Sequence, residues 1–272
     1  FRLYSQFLKS SRQNVDCQSP GAIRTRPYKR WEVLLVTDSY AKLLFMHDAS
    51  IPDEFRSAVV ERRGRSHAFE GYDPISTALI IVDMQNHFVA EGGLSEVPIA
   101  RGIVANINAL VDTFRATGGT VVWIRSTMSM EGRGAWPMFF ENFIAPERVR
   151  DARAGLMAGT WGHEFFSELD IGGGELVIDK DRFSPFSPGA SHLDEALKEL
   201  GIDTVFVTGT MTNVCCDSTA RDAMMLDYRA VMVEDANAAR SDEDHVGALS
   251  TFISVFGDVL TTQEAIRALH VE

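Results

Sequence analysis

The sequence predicts an α/β fold built on a parallel sheet with helices on both faces, and two observations carry that reading. From residue 77 onward, short apolar runs of strand length alternate with segments whose apolar residues recur at helical spacing. The runs are continuously apolar instead of alternating with polar residues, as expected for strands covered on both sides. With 272 residues, 45% hydrophobic and 24% charged, the chain is large enough to bury a substantial core as one globular domain with an extension.

Residues 77–82 form the first apolar run. Residues 99–117 place Ile103, Ile107, Leu110, Val111 and Phe114 on one helical stripe, which Gly118 and Gly119 terminate. Residues 120–124 give the second strand. Residues 126–162 then read as one long irregular connection rich in Met, Trp, Gly and Pro, the kind of segment that serves as a lid or pocket wall. The order closes with a strand at 175–179, a helix at 191–200, a strand at 204–208, a helix at 213–226, a strand at 230–234, a helix at 242–256, a short strand at 259–260 and a helix at 262–269.

The first 45 residues differ from the rest. They hold eight Lys or Arg against three acids, although the whole chain carries a net charge of -12, and no periodicity runs through them. They are expected to be a basic extension, either a flexible arm or sequence upstream of a start at Met46, with the second reading preferred; residues 46–272 form the single domain. The acidic balance disfavours a nucleic-acid partner. The apolar stretch 31–46 is too short to span a bilayer and is broken by Asp38 and Lys42, so no membrane partner is expected. Of the cysteines Cys17, Cys215 and Cys216, the last two are adjacent and cannot bridge each other without strain. With no disulfide framework and no export signal, the expected setting is the reducing cytoplasm.

In a parallel sheet of this type, chemistry gathers beyond the carboxyl ends of the strands. Asp83 ends the first strand, Lys180 the third, and Cys215 follows the fourth. Thr212 or Asn213 is a suitable N-cap that would place Cys215 in the first turn of a helix, where backbone N–H groups and the helix dipole lower a thiol pKa. An ammonium beside the thiol would lower it further, and Asp83 is placed to accept the thiol proton. Each residue also has an ordinary structural role: a buried small apolar side chain for the cysteine, a turn or cap for the aspartate, a solvated strand end for the lysine. Their convergence on one sheet edge is what points to a site.

At these residues the chain resembles the isochorismatase-like cysteine hydrolases. The matching pieces are LIIVDMQNHF (79–88), IDKDRFSPF (178–186) and VTGTMTNVCCDSTARDAMMLDY (207–228), in that order. The resemblance covers residues 73–270 and implies a six-stranded, mostly parallel sheet in three αβα layers, with Asp83, Lys180 and Cys215 as catalytic triad. It further implies a cis peptide bond between Thr210 and Met211, an oxyanion hole from the N–H groups of Met211 and Cys215, and assembly as a homodimer or homotetramer. Cys216 is read as core.

A full triad favours cleavage of an amide over cleavage of an enol ether. The segment after the second strand, Arg125 to Met130, has no histidine, and the next histidine is His163. Nicotinamidases of the resembled family hold a metal through an Asp-x-His pattern and further histidines after this strand, so the resemblance implies no metal and no other cofactor. The resemblance is closest to the ureidoacrylate and N-carbamoyl amidohydrolases, supported by GTWGHEFFSEL at 159–169. It implies a small amide, ureido or carbamoyl acid as substrate and a thioester intermediate. The alternatives are an isochorismatase-type or nicotinamidase-type hydrolase of the same fold, or a non-catalytic metabolite-binding protein. Gln85, Asn86, Phe88, Trp136, Trp161 and Phe183 are the expected substrate contacts, with Arg133 or Arg182 for a substrate carboxylate.

Overall fold

Six parallel strands lie side by side in the order β3-β2-β1-β4-β5-β6. They are β1 (Thr77–Val82), β2 (Thr120–Ser126), β3 (Leu176–Lys180), β4 (Thr204–Thr210), β5 (Arg229–Ala238) and β6 (Asp258–Leu260). The computed structural model describes residues 46–269, and the basic extension expected at 1–45 lies outside the described residues. The fold class is as the sequence predicts, with every strand pair parallel.

Every residue of β1 and β4 is buried, which explains their unbroken apolar runs. Along β1, Ala78, Ile80 and Val82 pack into one core, and Leu79 and Ile81 into the core on the opposite face. The first face is covered by α1 (Asp53–Arg63), α6 (Leu193–Glu199), α7 (Asp217–Met225) and α8 (Asp242–Val255). The second is covered by α3 (Val104–Thr117) and α9 (Thr262–Leu269), which also pack against each other. Three layers result.

The differences from expectation are local. Helix α1 was not anticipated, although its start carries Asp53 and Glu54, its end Arg62 and Arg63, and its C-cap Gly64 has φ 75°. The connection 126–162 is less irregular than its composition suggests. It holds α4 (Pro137–Phe143) and α5 (Pro146–Ala154), each opened by a proline in the first turn, where the missing N–H costs nothing. Met128, Phe140 and Leu156 form a small separate core beneath these helices. A four-residue helix α2 (Asn86–Val89) follows β1 directly.

Candidate active site

Three adjacent strands bring the polar groups together. Registers pair Val82 of β1 with Ile124 of β2 and Gly209 of β4, and Ser126 of β2 with Lys180 of β3. Asp83 therefore leaves β1 beside the ends of both neighbours. Its backbone sits at φ 53°, a left-handed conformation unusual for a residue other than glycine, and it is held there by its N–H donating to the Ile124 carbonyl at 3.0 Å.

Lys180 is not the solvated strand-end lysine of the ordinary reading; it is 1% exposed. Its ammonium donates three hydrogen bonds, to Asp83 Oδ2 at 2.7 Å, Ser126 Oγ at 2.9 Å and the Arg182 carbonyl at 3.1 Å. These use all three of its protons. Burial alone would pull the lysine down, but the neighbouring Asp83 and Cys215 more than offset that and hold it above its ordinary value. The second carboxylate oxygen, Asp83 Oδ1, is buried and has no hydrogen-bond partner among the described residues.

Cys215 lies in a π-helical turn, Thr212–Cys216, that leads into α7, and the Thr210–Met211 peptide bond just before it is cis. The expected side-chain cap is absent. Met211 occupies the N-cap position, and the Thr212 hydroxyl instead pairs with His245 Nδ1 at 2.8 Å. The expected direction of the thiol shift is also reversed. Burial pushes the Cys215 thiol well up, Asp83 adds to this, and Lys180 works against it. The balance favours the thiol over the thiolate. Cys216 is fully buried, and its thiol points at the Thr208 carbonyl.

A cavity of about 190 Å³ opens over this group, with Ser126, Thr210, Met211 and Cys215 at its base. Of the expected substrate contacts, Phe88, Trp136 and Phe183 line it, joined by Phe139 and Phe140 from α4. The structure does not bring the other three expected contacts into the cavity. Gln85 is fully buried as a strut, its amide bonded to the Ser126 N–H and carbonyl and to the His163 carbonyl. Asn86 donates to the Trp161 carbonyl, and Trp161 itself is 55% exposed. Arg133 turns away to pair with Asp181, whereas Arg182 lines the cavity, lying over the Trp136 ring while bonding backbone carbonyls. A second cation lining the cavity is Arg240, two residues beyond β5; among the described residues its one hydrogen bond goes to the Ser95 carbonyl at 3.4 Å and it has no carboxylate partner.

Residues 77–264 match the isochorismatase domain family. The chain belongs to the isochorismatase family. It is 35% identical over 208 residues to the ureidoacrylate amidohydrolase RutB of Variovorax paradoxus (strain S110), covering 71% of this chain and 81% of that protein. Among solved structures, it resembles a cysteine hydrolase from Pseudomonas syringae pv. phaseolicola 1448A at 30% identity and a TM-score of 0.66, over 75% of this chain and 96% of that one. It also resembles N-carbamoylsarcosine amidase from Thermoplasma acidophilum at 31% identity and a TM-score of 0.56, over 70% of this chain and 98% of that one.

Two buried histidines near the centre of this isochorismatase-family domain escaped the sequence reading. His87 lines the cavity, and His245 stacks on His47 at 3.9 Å between ring centroids. Desolvation lowers His87 to about 4 and His245 to about 3, from 6.5. The unfolded chain therefore takes up protons that the folded one refuses. Stability is expected to be full above pH 6.5, to decline as pH falls below that, and to level off below about 4 for His87 and about 3 for His245. Urea midpoints measured between pH 7 and pH 4 check this, and His87→Gln should flatten the slope. An unchanged slope in that variant would remove His87 from the account.

Proposed function

We propose that this isochorismatase-family hydrolase is a cysteine-dependent amidohydrolase acting on a small amide, ureido or carbamoyl acid, with ureidoacrylate-type chemistry. The observation that carries the reading is the buried Asp83–Lys180 pair, with Asp83 Oδ1 unpartnered among the described residues, next to the Cys215 that lines the cavity.

Passing a proton from Cys215 to Asp83 creates no net charge, because a carboxylate is neutralised as a thiolate forms and Lys180 stays cationic beside both. The burial that resists loss of the thiol proton to solvent does not resist this transfer to the same degree. The thiolate then attacks the carbonyl carbon, and the oxyanion is held by the N–H groups of Met211 and Cys215. As the C–N bond breaks, Asp83 returns the proton to the departing nitrogen, leaving a thioester on Cys215. Water, losing a proton to Asp83, releases the acid and restores the thiol. Arg240 is placed to hold a substrate carboxylate, and the aromatic wall takes the flat unsaturated or planar part of the acid.

The relatives support the same class, since one acts on ureidoacrylate and another is an N-carbamoylsarcosine amidase. Acid quenching during turnover of ureidoacrylate, N-carbamoyl amino acids or maleamate should trap an adduct on the Cys215 peptide by mass spectrometry, with ammonia released in step. Turnover with no adduct on any trapping timescale, together with full activity of Cys215→Ala, would sink the covalent scheme.

A further inference from the structure

The cavity has a polar corner that the scheme above does not use. His87, from α2, is 2% exposed, and its Nε2 lies 3.0 Å from Ser95 Oγ. Ser95 is fixed from two further sides: its N–H donates to the His87 carbonyl at 3.1 Å, and its own carbonyl accepts from Arg240 at 3.4 Å. Both His87 and Ser95 line the cavity.

Which atom of this pair donates depends on the proton at the other ring nitrogen. Nδ1 faces the backbone of Gly155, so closely that a Cβ on that residue would stand 2.8 Å from it. The Gly155 backbone on that side favours a proton on Nδ1. A neutral imidazole with its proton on Nδ1 has only a lone pair at Nε2. Ser95 must then donate its hydroxyl proton to Nε2, and what Oγ turns to the cavity is acceptor capacity alone.

We propose that Ser95 Oγ, held as an acceptor by the positioning residue His87, reads the N–H of the substrate's amide or carbamoyl group and so selects it over an oxygen ester of the same acid. Arg240 next to it can only donate, so the two groups sort a substrate by polarity: carboxylate toward the guanidinium, N–H toward the serine. Removal of a hydrogen bond to a buried polar group discriminates far better than a missing methyl group would. The assignment rests on the amidohydrolase reading.

The test uses 3-ureidoacrylate and the analogue in which its terminal NH2 is replaced by OCH3. The readout is the ratio of kcat/KM for the two, which cancels effects on acid binding and on folding. Ser95→Ala is expected to lower that ratio, amide over ester, roughly tenfold. His87→Leu should do the same, whereas His87→Gln, whose amide oxygen can accept from Ser95, should recover most of it. An unchanged ratio in both Ser95→Ala and His87→Leu would overturn the inference while leaving the amidohydrolase reading intact. If the wild-type chain neither hydrolyses the ureido acid nor is acylated at Cys215 by the ester, both readings fall.

Discussion

Asp83→Asn is expected to lower kcat/KM for the amide by about 10³-fold and to destabilise the fold by roughly 3–5 kcal/mol. Both effects follow from one change of charge. Asparagine keeps the shape of the side chain and an oxygen for the Lys180 ammonium, now 2.7 Å away. It cannot take the Cys215 proton, and it leaves an ammonium that is 1% exposed with no counter-charge. The activity loss reports the missing base, and the stability loss reports the stranded cation. A second substitution separates them: Asp83→Asn with Lys180→Met removes the stranded charge, so urea unfolding should return toward wild type while hydrolysis stays abolished. A single variant with wild-type kcat/KM would remove Asp83 from its role as base. A double variant no more stable than Asp83→Asn alone would show that the pair's charge is not what the fold feels.

The meeting of Asp83, Lys180 and Cys215 was legible because a parallel sheet sends side chains to one edge: Asp83 and Lys180 stand at the ends of β1 and β3, and Cys215 lies in the turn after β4. Their protonation was not legible. A helix start lowers a thiol pKa in partly exposed sites, but Cys215 is 8% exposed, and burial outweighs that effect. The aromatic contacts divided for a similar reason. Phe88, Trp136 and Phe183 meet in one cavity, whereas Trp161 occupies a 3-10 turn whose carbonyl, not its ring, is engaged by Asn86. Composition of a loop gives the residue types in a wall and leaves open which of them face inward. Ser126, Ser95 and Arg240 were missed because their roles arise from strand register and from contacts between loops far apart in sequence. Ser126 supports Lys180 only because β2 and β3 pair it opposite that lysine. The caps of α1, by contrast, were present in the sequence and sufficient to find it.

Gly209→Ala is the substitution expected to damage the fold most, by on the order of 4 kcal/mol or more, enough to deplete the folded state of a marginally stable domain. Gly209 has φ 111°, a region that side-chain-bearing residues rarely adopt, and a Cβ there would lie 2.2 Å from the Val82 carbonyl oxygen and 2.8 Å from the Val82 nitrogen. Both obstacles are backbone in a central strand, so no rotamer change relieves them. The only escape is to separate β4 from β1, which would move Asp83, the residue after Val82, away from Cys215. The variant should therefore lose catalysis even where folded protein can be recovered at low temperature. Gly173→Ala serves as the control, since nothing lies within 4 Å of its Cβ and its φ is outside the left-handed range; its urea midpoint should be close to wild type. A Gly209→Ala protein with wild-type stability and turnover would mean that β1 and β4 do not need this close approach, and that the meeting of Asp83 with Cys215 depends on some other constraint.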